Sequence, residues 1–158
     1  MGKLGANDLS IDTRGIDELM KKTKPELYRE PLATMFKELG TVAQRTAIQR
    51  APYFTGALQR SIRLNVRPLS ARIFSNLNYA LPVEVGRSRN RRPPPVGALR
   101  RWANSKGINV YALAKSIGRR GIKGRFFMRA ARQAVEMKLP FQLKLVERRI
   151  AARWSKDG

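Results

Sequence analysis

Side chains able to do acid–base, nucleophilic or metal chemistry are few and scattered in this 158-residue sequence. It contains no histidine, no cysteine and only 11 aspartate and glutamate residues. Histidine is the commonest general acid–base and metal ligand, and cysteine supplies thiolate ligands. Seven acidic residues precede Gly40, and four are spread over the remainder: Glu84, Glu136, Glu147 and Asp157. Because carboxylate catalysis and hard-cation binding need converging oxygens, we predict a non-enzymatic protein with no catalytic residue, cofactor or metal site.

Basic residues are abundant and unevenly placed. The chain has 33 lysines and arginines and a formal net charge of +22. Residues 1–38 hold seven basic and seven acidic residues, whereas residues 39–158 hold 26 basic and four acidic ones. Such a surface repels copies of itself and attracts polyanions. The later part of the chain is therefore predicted to contact nucleic acid or an acidic protein surface.

One group of basic residues brackets Trp102 along the chain. The segment 87–95, RSRNRRPPP, is a basic loop that ends in three prolines. Arginine-rich loops near aromatic residues suit phosphate contact without base readout, although they equally suit an acidic neighbouring subunit. We predict polyanion or neighbouring-subunit contacts for eight residues: Arg87, Arg89, Arg91, Arg92, Arg119, Arg120, Lys123 and Arg125.

The periodicity of apolar residues predicts the elements that carry these side chains. A three- and four-residue spacing predicts a long helix from Pro25 or Pro31 to Gln49. Alternation then predicts a hairpin, 62–66 with 71–75, and we expect a third extended segment at Tyr79–Val85. The fold class expected is α+β: a long N-terminal helix, a small antiparallel sheet of three to four strands, and two or three C-terminal helices.

Helical periodicity returns after the basic loop, over residues 96–105, 110–117 and about 125–154, with a break at Pro140 left open. We expect a weakly ordered arm over residues 1–24 and a single domain over residues 25–158. No apolar run approaches the roughly 18 residues of a membrane span, so no membrane partner is expected. The N-terminus also lacks the apolar segment of a signal peptide, which indicates a protein made in the cytoplasm.

Two short motifs join these elements. In APYFTGALQRSI (51–62), Pro52 is expected to stop the helix, and Gly56 to adopt a backbone conformation closed to other residues. In NYALPVEVG (78–86), Glu84 is the only carboxylate between Glu38 and Glu136. We interpret Glu84 as an ion-pair partner of a nearby arginine.

These motifs and their order resemble the small tail-component family of siphophage-type and related bacteriophages, whose members are labelled tail-completion or neck proteins. The pattern is AP-x-x-TGAL-x-x-SI, an alternating hairpin, YA-x-x-VE-x-G and a basic proline-rich loop, and the resemblance spans about residues 50–134. It continues through LRRW (99–102), IGRRG (117–121) and RFFMRAA (125–131). The motif residues are Pro52, Thr55, Gly56, Leu58, Ser61, Tyr79, Glu84, Gly86, Trp102 and Phe127.

The resemblance implies a structural virion protein at the head–tail junction or tail end, without enzymatic activity. It implies a homo-oligomeric ring that completes or joins the tail and contacts neck, tail-terminator or tail-tube proteins. Packaged DNA in the channel would be a further, non-specific partner. The protein would be made in the host cytoplasm and end in the virion.

An alternative interpretation is a free DNA-binding protein that uses a helix-turn-helix-like segment, 97–118. Ala103, Gly107 and Ile108 fall where that motif has a small residue, a turn glycine and an apolar residue. A later core position falls on Ser116 rather than Ile117, which disfavours the motif. Two short helices with basic outer faces would have the same pattern.

Overall fold

The computed structural model of the chain describes residues 9–12 and 24–157, in which helices and antiparallel strands are mixed. These residues form two compact units. One unit holds residues 9–12, 24–78 and 127–157, and the other is Tyr79–Phe126. The predicted arm, residues 1–24, lies largely outside the described residues. Its described parts are a four-residue strand, β1 (Leu9–Asp12), and Lys24.

The first unit is built around a long helix, α1 (Pro25–Arg50), which begins at the earlier of the two predicted prolines and contains Pro31. Its predicted apolar stripe is largely buried, with Phe36 2%, Leu39 0% and Ala43 1% exposed. The helix ends because Ala51, which precedes Pro52, adopts an extended conformation (φ −66°, ψ 134°). A short helix, α2 (Ala57–Ser61), follows.

A three-stranded antiparallel sheet packs against α1. Its hairpin, β2 (Ile62–Arg67) and β3 (Ser70–Ser75), confirms the alternation seen in the sequence. Ala71 and Ile73 are buried as predicted, but Val66, near the turn, is 40% exposed. A side chain on Gly40 of α1 would lie 2.7 Å from a Leu64 methyl carbon and 3.0 Å from the Ala71 Cβ. Glycine therefore lets the helix lie close to the sheet.

The sheet differs from the prediction in its third strand. Residues 79–85 are not a strand but contain a helix, α3 (Ala80–Val85), in the second unit. Ala80 and Glu84, four residues apart, are both buried on one helical face, and a carboxylate at that position hides the helical pattern. The third strand of the sheet is instead β1, which pairs with β3 through Leu9 opposite Ile73. The predicted three to four strands were thus only partly correct.

The last helix, α6 (Phe127–Asp157), packs along α1. It continues through Pro140, where the sequence does not decide between a continuous and an interrupted helix. Polar contacts join the two helices in antiparallel order. Gln142 donates to Glu38 (Nε2 to Oε2, 2.7 Å), and Arg153 donates to the Glu26 carbonyl (3.1 Å) and pairs with Glu30. Acidic residues of α1 therefore have partners on α6.

The second unit contains α3, a two-residue strand β4 (Gly86–Arg87), two helices and a two-residue strand β5 (Ile122–Lys123). The helices α4 (Val96–Ser105) and α5 (Val110–Arg120) agree with the predicted segments, α5 being three residues longer. Strands β4 and β5 pair with each other in a separate sheet. No helix in the described part of the chain is long and apolar enough to cross a membrane.

Candidate polyanion-binding surface

The unit Tyr79–Phe126 carries positive charge almost without acidic residues. It contains twelve lysines and arginines and a single carboxylate, Glu84. Eleven of the twelve basic residues are exposed and Arg87 is partly buried, whereas Glu84 is only 4% exposed. The surface of this unit therefore presents many cations and no exposed carboxylate, which fits a polyanionic partner.

Backbone pairing brings the two ends of the unit together. Lys123 lies opposite Gly86, and Ile122 opposite Arg87, in the β4–β5 ladder. The pairing extends past the strands, because the Arg125 N–H donates to the Val83 carbonyl (2.9 Å) and the Phe126 N–H to the Glu84 carbonyl (3.0 Å). Residues 83–87 thus run alongside residues 122–126, which places Lys123 beside the start of the arginine loop (residues 87–95) and Arg125 beside Val83 of α3.

The arginine loop is held on the C-terminal end of α5 by two backbone hydrogen bonds. The Asn90 N–H donates to the Arg119 carbonyl (3.2 Å), and the Arg91 N–H donates to the Gly118 carbonyl (2.9 Å). Terminal carbonyls of a helix lack partners within the helix, so the loop satisfies two of them. Loop and helix end are joined by main chain, which leaves the guanidinium groups at the surface.

Two glycines make this contact possible. A Cβ on Gly118 would lie 2.8 Å from the Arg91 carbonyl oxygen, and one on Gly121 would lie 2.3 Å from the Arg87 carbonyl oxygen. Gly121 also has φ +74°, a conformation that side-chain-bearing residues rarely adopt. The residue types at positions 118 and 121 therefore determine whether the loop can reach α5.

Four residues from the loop and the helix end line one open pocket: Arg89, Asn90, Arg119 and Arg120. Asn90 adopts a left-handed backbone conformation (φ +54°), and asparagine tolerates this better than most residues. Of the eight predicted contact residues, the structure brings Arg89, Arg119 and Arg120 into this pocket. Arg91 and Arg92 lie beside it on the loop, and the Arg87 guanidinium donates to the Arg92 carbonyl.

The first family motif, residues 51–62, forms an elbow between α1 and β2 in the other unit. Gly56 has φ +71°, as the sequence predicts, and Leu58 and Ile62 are buried. The Gln59 amide donates to the Ile48 and Ala51 carbonyls (3.1 and 3.2 Å), which ties the elbow to the end of α1.

Side chains of the same motif complete the elbow. The Arg60 guanidinium donates to the Thr55 carbonyl (3.0 Å), and the Ser61 and Ser75 hydroxyls are hydrogen-bonded (2.7 Å). Pro52 is half-buried. Each of these contacts holds the backbone and none assembles a reactive group.

The remaining family-motif residues occupy separate places. Tyr79 precedes α3 and is 43% exposed, and Gly86 (φ +80°) opens β4. Trp102 lies half-buried on α4, and Phe127, at the start of α6, is fully buried. Tyr79, Gly86 and Trp102 belong to the second unit and Phe127 to the first, and the ion pair of Glu84 stays a prediction.

Residues 97–118 do form a helix, a turn and a second helix. Ala103 is fully buried and Gly107 has φ +64°, as the helix-turn-helix interpretation requires. The Asn109 side chain caps α5 by accepting from the Tyr111 and Ala112 amides (2.9 and 3.1 Å). Ile108, expected to be a core residue of that motif, is 42% exposed, which disagrees with it.

Exposed apolar side chains were not foreseen in the sequence. On α6, Met137 is 77% exposed and Phe141 63%, with Pro140 exposed between them. This spacing places the three on one helical face, opposite the buried Ala131 and Val135. The pattern could have been found, but the proline in the middle of the helix concealed it. Tyr53 is also exposed, at 74%, on the elbow.

Within residues 9–12 and 24–157, no three acidic side chains come together as a metal site would need. Comparisons with family models, curated proteins and solved structures find no match to the chain.

Proposed function

We propose that this chain is a non-enzymatic structural protein of a tailed bacteriophage, which completes or joins the tail as a homo-oligomeric ring at the head–tail junction or tail end. The observation that carries the proposal is the ordered series of motifs over residues 50–134. The elbow, the hairpin and the arginine loop are distinct structural features, and each coincides with a segment of that series.

Assembly is supported by the exposed apolar face of α6, formed by Met137, Pro140 and Phe141. Copies with a formal charge of +22 repel one another, so contact between them requires apolar area or acidic partners. Contiguous exposed apolar side chains on a small protein indicate an interaction surface. A ring subunit, with neighbouring copies and adjoining neck, tail-terminator or tail-tube proteins, would cover this face within the virion.

We expect particles produced without this chain to have heads and tails that are not joined, or tails that are not completed. Electron microscopy and plaque titre of a genome lacking the gene, with the chain resupplied from a plasmid, measure this. Joined and infectious virions without the chain would rule out the proposal.

Two single substitutions in the resupplied chain test whether the apolar face of α6 is needed. Phe141→Glu places a charge on the exposed apolar face of α6 and is expected to prevent rescue. Asn65→Glu adds the same charge at an exposed position of β2, outside α6, and is expected to rescue fully. Equal rescue by both variants would show that this face is not an interface.

A second candidate is a free DNA-binding protein, favoured by the capped helix-turn-helix of α4 and α5. Tyr111, 66% exposed at the start of α5, would then contact bases. This candidate predicts sequence-selective binding that persists at moderate salt and falls by about 1–3 kcal/mol in Tyr111→Ala. Gel shifts on a pool of random duplexes measure it. Sequence-blind retention that is lost as salt rises would eliminate it.

A further inference from the structure

We infer that Arg89, Asn90, Arg119 and Arg120 form a phosphate-binding pocket that takes a backbone phosphate of double-stranded DNA without reading the base sequence. The inference goes beyond the proposed function, because it assigns a ligand to one pocket of the unit Tyr79–Phe126. It does not depend on where the protein acts.

The lining of the pocket matches a phosphate group. Its lining residues are three arginines and one asparagine, and no carboxylate-bearing residue is among them. The planar fork of a guanidinium donates two parallel hydrogen bonds to phosphate oxygens, and the amide nitrogen donates a further one. The only acidic residue of the unit, Glu84, is buried and is not among the lining residues. An anion in the pocket would therefore meet arginine charge and no negatively charged lining residue.

The pocket is held in shape by main chain. Asn90 and Arg91 are hydrogen-bonded to the carbonyls of Arg119 and Gly118, so the arginine on the loop and the two on α5 have a fixed backbone spacing. A loop that is ordered before binding loses little further conformational entropy when the ligand arrives. The fixed spacing thus favours a defined anion over a diffuse ion atmosphere.

The cations around the pocket indicate a polymer rather than a single anion. Arg91 and Arg92 follow the pocket residue Asn90 on the loop, Lys123 follows the pocket residue Arg120 by three positions, and all three cations are exposed. A nucleic-acid backbone carries one negative charge at every phosphate, so neighbouring phosphates can contact these side chains. A protein partner usually has both signs of charge on its surface. Its lysines and arginines would then lie against the exposed cations of this unit and repel them. DNA is therefore a better match than an acidic protein.

The position of the arginines indicates backbone contact rather than base readout. Arg119 and Arg120 lie in the last turn of α5, and Arg89 lies on a loop. Recognition helices present their N-terminal residues to base edges, whereas loops and isolated arginines contact phosphates. We therefore expect equal affinity for duplexes of unrelated sequence.

The test measures fluorescence anisotropy of labelled 20-base-pair duplexes with the full chain over a salt series. The triple variant Arg89→Gln, Arg119→Gln, Arg120→Gln is expected to bind roughly 10- to 100-fold more weakly at about 0.1 M salt and to lower the salt slope by about 2–3. The matched control, Arg100→Gln, Arg101→Gln, Lys106→Gln, removes equal charge from exposed positions at α4 and the turn after it. We expect a loss of less than about threefold for this control. Thermal unfolding of each variant verifies that it is folded.

Three other outcomes would overturn the inference, and one would support it. Equal losses in the two triple variants would show a diffuse basic surface rather than a pocket. Polyglutamate that binds as tightly as DNA, with the same dependence on the pocket arginines, would indicate an acidic protein partner. Inorganic phosphate that competes with DNA more strongly than chloride of equal ionic strength supports the phosphate chemistry. If phosphate binding requires the pocket arginines but DNA binding does not, the site is one for free phosphate. Because purified protein is used, these results are independent of whether the chain joins phage heads to tails.

Discussion

Replacement of Phe36 by alanine is expected to lower the free energy of unfolding by about 3–5 kcal/mol. Phe36 lies on α1 and is 2% exposed, among the largest fully enclosed side chains of the described residues. Truncation removes the transfer energy of the ring and leaves a cavity that close-packed neighbours fill only in part. Urea unfolding followed by circular dichroism measures the change.

The matched control for this prediction is Phe54→Ala. The chemical change is identical, but Phe54 is 41% exposed on the elbow, so we expect a loss of less than about 1.5 kcal/mol. Comparable losses for the two variants would contradict the packing of α1 against the sheet and α6. A larger loss at Phe54 would place the core elsewhere in the chain.

Gly121→Ala is expected to detach the arginine loop from the end of α5, with an opening free energy lower by about 3–5 kcal/mol. The new methyl group would lie 2.3 Å from the Arg87 carbonyl oxygen, and position 121 has φ +74°. Neither problem can be relieved by rotating a side chain, because the atom in contact belongs to the main chain. Hydrogen exchange of the Asn90 and Arg91 amides measures the opening directly.

Loss of the loop geometry should also weaken DNA binding, since Arg89 would no longer share a pocket with Arg119 and Arg120. Gly97→Ala is the control, because a Cβ at position 97 meets nothing within 4 Å and α4 gains up to about 1 kcal/mol from the better helix former. Slow Asn90 and Arg91 exchange in Gly121→Ala, as in the unchanged protein, would contradict the contact between loop and helix. So would fast exchange in both variants.

Some elements were predictable because their pattern is local. The stripe on α1, the alternation of Ala71 and Ile73 in the hairpin and the turn at Gly56 each depend on residues a few positions apart. Helical and extended segments leave different apolar spacings, so a short window is enough to identify them. The same reasoning failed at Tyr79–Val85, where the buried face of α3 includes a carboxylate that no apolar pattern records.

Composition alone places the net positive charge after residue 38, and the motifs single out the arginines of the loop and of residues 119–125. The folded chain shows two things that no sequence pattern predicts: Arg89 shares a pocket with Arg119 and Arg120, and β1 completes the sheet beside β3. The physical reason is that these pairings join residues about 30 to 60 positions apart. The pocket depends in addition on the close main-chain approach at Gly118 and Gly121, and local spacing carries no record of such an approach.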